Sequence, residues 1–156
     1  MIALSVITVI YLALSSVQDL CDKEIYTFPA DVLAVCWFIT AALKMQSVWY
    51  FRALYIAAYA GAYFLFRKTK IWGAGDCDLF LAFAGVYLSV INPVFSLESL
   101  FMQVLLFAEI LIIALIVSAI EAAFKRKRIK KDTSIAVAPG FFFVITGMLT
   151  EGVFLC

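Results

Sequence analysis

Apolar residues run in six long blocks, separated by short polar or proline-containing breaks. The first block covers residues 1–17. It has neither a basic start nor a small-residue cleavage signal, which predicts a retained helix rather than a signal peptide. A polar connection over 19–29 follows, with Asp22, Lys23 and Glu24. Thr27 and Pro29 then read as a helix start, with Asp31 in the first turn. That helix is expected to reach about Leu43. Residues 44–48 form a break, with Trp49 and Tyr50 as interface anchors. The third helix is expected to reach about Phe66. Its Ala53, Ala57 and Gly61, four residues apart, predict a small-residue stripe for close helix packing. After Arg67, Lys68 and Lys70, a fourth apolar run leads from Gly73 to Ile91, and Asn92-Pro93 ends it. The fifth runs from Leu97 to Phe124. A basic stretch, 125–131, separates it from the last block, 135–154, which has Pro139-Gly140 near its start.

Hydrocarbon about 30 Å thick requires about 20 helical residues, so each block is close to one crossing. Composition agrees. The 156 residues are 66% hydrophobic and 15% charged, against about 45–50% and about 25% in soluble domains. The expectation is an all-α, polytopic membrane bundle of six transmembrane helices in one domain, 1–156, with the lipid bilayer as its surroundings. Of the twelve lysines and arginines, all but Lys44 and Arg52 fall on one side when the connections alternate. By the positive-inside rule that side is cytoplasmic and both termini are outside. The basic stretch 125–131 reads as a solvated anchor, and no nucleic-acid partner is expected.

Two acids then fall at the cytoplasmic ends of their helices. Asp19 closes the first apolar run. Asp76 stands at the mouth of the fourth, behind Gly73 and Gly75, which lack Cβ and permit close backbone approach. A carboxylate at the bilayer boundary is expensive and is usually kept for function. Two neighbouring carboxyl groups share a proton, so one can accept a proton from water while the other donates to a peptide carbonyl. The sequence has no His, which removes the commonest metal ligand and general base. Its four cysteines, Cys21, Cys36, Cys77 and Cys156, form no C-x-x-C pair. No metal and no cofactor are expected. Glu109, near the middle of the fifth block, reads as a neutral acid facing the bundle interior.

These residues carry a resemblance. Gly73-Ala74-Gly75-Asp76 matches the GxGD motif of the type IV prepilin peptidases, a family of membrane aspartyl proteases. Asp19 followed six residues later by Ile25 resembles the family's first aspartate, and Ala138-Pro139-Gly140-Phe141 the start of its last helix. The resemblance covers nearly the whole chain. Tyr26 stands where the family usually has proline, and Asp78 where it usually has lysine. The cysteine-rich insertion of longer members is absent, so the resemblance implies a short, peptidase-only form without N-methyltransferase activity.

The resemblance further implies the cell membrane as location and a pilin-like precursor as substrate. Such a substrate has a basic leader that is removed at the cytoplasmic face. Asp19 and Asp76 take the catalytic roles, with Gly73, Gly75 and Pro139 supporting. Asp22, Glu24 and Asp78 are placed to attract the leader's basic residues. Two rivals stand beside it. One is a proton-coupled small transporter, since intramembrane acids also relay protons. The other is an inactive membrane assembly partner of a pilus or secretion system.

Overall fold

The computed structural model describes residues 1–22, 25–44, 49–69, 72–91, 97–124 and 135–154. Among them the architecture is all-helical: α1 (Ile2–Asp22), α2 (Thr27–Lys44), α3 (Trp49–Thr69), α4 (Ala74–Val90), α5 (Leu97–Phe124) and α6 (Ala138–Phe154). Two boundaries differ from the sequence expectation. Helix α1 continues to Asp22, so Asp19 is held inside a helix rather than opening a connection. Trp49 and Tyr50 begin α3 instead of belonging to the break before it.

Helix α1 is inverted relative to a helix of a water-soluble protein. Its buried residues are Ser5, Thr8, Leu12, Ser15, Ser16 and Asp19. Its outer face carries Ile2, Val6, Ile7, Ile10, Leu14 and Val17, all exposed. An exterior of large apolar side chains is costly in water and suits lipid. Three helices, α1, α2 and the 101–124 part of α5, are long and apolar enough to cross a membrane.

Helix α4 is the centre of the bundle. It is buried from Cys77 to Ser89 apart from Leu81, and it packs against α2, α3 and α6. Glycine sets its approach to α2. A methyl group at Gly85 would lie 2.7 Å from Trp37 Cβ, and one at Gly75 2.6 Å from Ile25 Cβ. Trp37 also joins three helices. Its Nε1 donates to Thr8 Oγ1 of α1 at 2.9 Å, and its carbonyl accepts from Ser89 Oγ of α4 at 2.8 Å. At the α5–α6 crossing, a methyl group at Gly140 would collide with the carbonyl oxygen of Ile110.

The stripe expected on α3 does not make such a contact. Ala53, Ala57 and Gly61 are exposed, and nothing lies within 4 Å of a methyl group placed at Gly61. Helix α3 is held instead by a ladder of tyrosines on its other face. Tyr55 shares a hydrogen bond with Ser99 at 2.9 Å, and Tyr59 donates to Gln103 Oε1 at 3.0 Å. Tyr63 donates to Asp78 Oδ1 of α4 at 3.2 Å.

Consecutive helices run in opposite directions. Ile25, just before α2, packs on Gly75 in the first turn of α4. The end of α3 meets that turn through Phe66 and Trp72, whose rings are 4.8 Å apart. The late part of α5 reaches the start of α6, where Ala136 N–H donates to Ser118 Oγ at 3.1 Å. One end of the bundle therefore gathers the C-terminal parts of α1, α3 and α5 and the beginnings of α2, α4 and α6.

Candidate functional site

Both candidate aspartates lie at that end. Asp19 is 5% exposed and sits in the fifth turn of α1. Its Oδ2 accepts the backbone N–H of Ala138 at 3.0 Å. Ala138 is the first residue of α6, and the first N–H groups of a helix have no partner within it. Asp19 fills one of those vacancies. Pro139, buried in the same turn, has no N–H to satisfy. The turn closes with Val137 O accepting from Gly140 N–H at 3.0 Å. The positive end of α6 thus points at a carboxyl group of α1.

Asp76 is held differently. Gly73 is extended, with φ −62° and ψ 160°, and precedes the first residue of α4. Its N–H donates to Asp76 Oδ2 at 3.3 Å, and its carbonyl accepts from Cys77 N–H at 3.2 Å. This is the acidic half of a capping box. The loop that presents Asp76 is therefore fixed by Asp76 itself. Asp76 is half-buried and within electrostatic reach of Asp19. The two acids that sequence reasoning paired, 57 positions apart in the sequence, lie at the same end of the bundle, and the charge of Asp19 bears on Asp76.

The two glycines have separate jobs. Gly73 is exposed, and a methyl group there would meet only the Asp76 carboxylate. Gly75 is buried, and the space beside it is filled by Ile25. Its missing Cβ lets the backbone just before α2 come close, and Ile25 takes the space on that side.

Asp78 also departs from expectation. It is 3% exposed, so it does not face headgroups or a passing leader. It accepts the Tyr63 hydroxyl, which in turn accepts a hydrogen bond from Arg67 Nη1. Asp31 and Arg67 are the charges that act on it, whereas Asp19 acts on Asp76. The two acids of the motif thus look into different surroundings. Asp22 is exposed at the end of α1. Glu24 lies outside the described residues, as do the basic residues 125–131. Glu109 is exposed on α5 rather than turned into the bundle.

Sequence reasoning did not single out Ala138 as a donor, Tyr63 with Arg67, or the aromatic group beside the motif. Trp72 stacks among Phe66, Phe107 and Phe141, with ring centroids 4.8, 5.3 and 6.0 Å away. It ties the residue before Gly73 to the first turn of α6. The four-residue spacing of Tyr55, Tyr59 and Tyr63 was the one available signal for the ladder. Among the described residues, no three His, Cys, Asp or Glu side chains cluster so as to hold a metal ion.

The arrangement can polarise water between two carboxyl groups, one anchored by a helix N-terminus and one by its own capping turn. Comparison with protein-family models, curated proteins and solved structures gives no match to this chain.

Proposed function

We propose that this chain is a membrane aspartyl endopeptidase that removes the basic leader from pilin-like precursors at the cytoplasmic face. The observation that carries the reading is the placement of Asp19 and Asp76 at the same end of the bundle, each accepting a backbone N–H and the charge of Asp19 bearing on Asp76. In this reading the chain crosses the membrane six times, with both termini outside. All but two of its lysines and arginines lie on the side of the pair, which makes that side cytoplasmic.

The chemistry needs no further group. The ionised carboxylate takes a proton from water as the water oxygen bonds to the scissile carbonyl carbon. The protonated carboxyl donates to the carbonyl oxygen. Collapse of the tetrahedral intermediate breaks the C–N bond: the leaving amine takes the proton gained from water, and a hydroxyl of the intermediate returns its proton to the second carboxylate as the C=O re-forms, which restores the pair. A substrate with an apolar helix after the cut can lie against the lipid-facing exterior and present its cytoplasmic end to the pair. Asp22, exposed beside the site, is placed to attract the leader's basic residues; the burial of Asp78 removes it from that role.

The test is cleavage of a co-reconstituted pilin-like precursor. Wild type is expected to release the leader, and Asp19→Asn and Asp76→Asn are each expected to lose that activity while still inserting. Cleavage by either variant at the wild-type rate overturns the assignment. The transporter reading loses its main residue, because Glu109 lies on the exterior and not along an interior path.

A further inference from the structure

The seam between α1 and α6 is tied at one end and open toward the other. At the end of the Asp pair it is joined by the Ala138 N–H that Asp19 accepts. Farther along it widens into a groove of about 260 Å³, between the Ile2–Ile10 stretch of α1 and Thr146, Leu149 and Thr150 of α6. That exceeds the roughly 150 Å³ that accepts a benzene-sized guest. Val6, Ile10 and Thr150 are exposed, so the groove faces outward rather than into the bundle. Two hydroxyls of its lining residues, Ser5 Oγ and Thr146 Oγ1, are buried with no hydrogen-bond partner among the described residues. The chain's own packing leaves the seam unfinished here.

We propose that this groove docks the apolar helix that follows the cut in the substrate. The proposal rests on the peptidase reading and adds where the substrate lies. Continuity selects the occupant. The seam that holds the groove is the one that ends at Asp19, so a helix laid along it has its first turn at the pair. The lips of the groove continue toward that end. Val17 stands seven residues on from Ile10, and Phe143 stands three and seven before Thr146 and Thr150; both are exposed. Residues at those spacings share one side of a helix. Thr146 lies eight residues beyond Ala138, and Ile2 seventeen before Asp19. At 1.5 Å per residue the groove spans depths of about 12 to 26 Å from the pair, which places roughly residues 8 to 17 after the cut against it. The α6 lip suits a helix better than a lipid chain. Thr146, Gly147 and Thr150 are small, and nothing lies within 4 Å of a methyl group placed at Gly147. Small residues let helix backbones approach closely in a bilayer.

The experiment uses the full chain carrying Asp76→Asn, which keeps the complex from being consumed, in phosphatidylcholine vesicles. The probe is a pilin-like precursor with a benzophenone side chain at successive positions after the cut. Positions from about 8 to 17 are expected to cross-link to segments 1–22 and 138–154, with the period of a helix. Ile10→Trp and Thr150→Trp fill the groove from exposed positions that tolerate a larger side chain. Each is expected to reduce those cross-links and, with Asp76 restored, to raise the KM for the precursor by about tenfold, the order of loss at an overpacked contact. Ile7→Trp, exposed on α1 away from the groove, is expected to change neither. Cross-links spread evenly over all six helices overturn the proposal and leave the groove to lipid. An unchanged KM in both groove variants also overturns it. Either result with leader cleavage intact leaves the peptidase reading standing. Cross-links confined to the groove, in a wild-type chain that cleaves nothing, support the docking surface and overturn the peptidase reading instead.

Discussion

Asp19 and Asp76 are both acids at helix ends, yet their neighbours make them unlike. Asp19 leans on the first turn of a distant helix, and Asp76 closes the turn in which it stands. Replacing either by asparagine keeps an acceptor oxygen for the backbone N–H and removes the proton-transfer group. Each change is expected to reduce leader cleavage by about a hundredfold or more, the usual contribution of a general acid or base. Insertion should be unchanged, as checked by expression and protease protection. Asp78 predicts the opposite split. Tyr63→Phe removes the donor and leaves a buried carboxyl short of a partner, which is expected to cost about 1–3 kcal/mol of stability. Unfolding in detergent is the measurement. Asp78→Asn retains an acceptor for Tyr63 and should cleave at nearly the wild-type rate, with no change in apparent affinity as salt is raised. A salt-dependent loss in Asp78→Asn would mean that its charge reaches the substrate after all.

At the level of helices, the blocks of apolar residues mapped onto all six elements because a continuous apolar run has few other ways to fold. Faces were harder to read. The small residues of α3 have the spacing of a packing stripe, but spacing says only which residues share a side. It does not say which side meets a neighbour. In α1 the polar residues Ser5, Thr8, Ser15, Ser16 and Asp19 share one helical face and mark the interior. That signal was present in the sequence, since an apolar exterior leaves the bundle interior as the place for hydroxyls. The same rule misled for Glu109, which lies outside. The partners of Asp19 and Asp78 were not legible, because they come from α6 and α3 and depend on tertiary geometry. Glycine substitutions separate the two kinds of face. Gly85→Leu forces a side chain into Trp37 and is expected to destabilise the protein by about 1–3 kcal/mol or more. Gly61→Leu meets open space and should change stability by less than about 0.5 kcal/mol. Thermal unfolding of the two variants in the same detergent checks both, and equal losses would mean that α3 is covered at Gly61.

Across the whole molecule, the site is assembled from parts far apart in the chain. Helices α1 and α4 carry the acids, α6 lends an N–H, and α3 steadies α4 through Tyr63. Trp72 and Phe141 bind the motif to the same turn of α6 that Asp19 touches. Loosening that turn should therefore disturb the geometry of both carboxyl groups. Phe141→Ala, which removes a fully buried ring, is expected to cost about 3–5 kcal/mol. Any cleavage that remains in the folded fraction should show a shifted pH profile, because the spacing that governs proton sharing has changed.

The hydrogen bond from Ala138 to Asp19 joins residues 119 positions apart. During synthesis, α1 enters the membrane long before α6 exists. A nascent chain that has made only the first five helices carries both aspartates but lacks the α6 N–H that Asp19 Oδ2 accepts. If that N–H is required to set the pair, this intermediate is expected to be inert until α6 is in place. Two fragments divided between α5 and α6 and produced together should recover cleavage that neither shows alone. Activity in the fragment ending at Phe124 would show that the pair matures without its final helix.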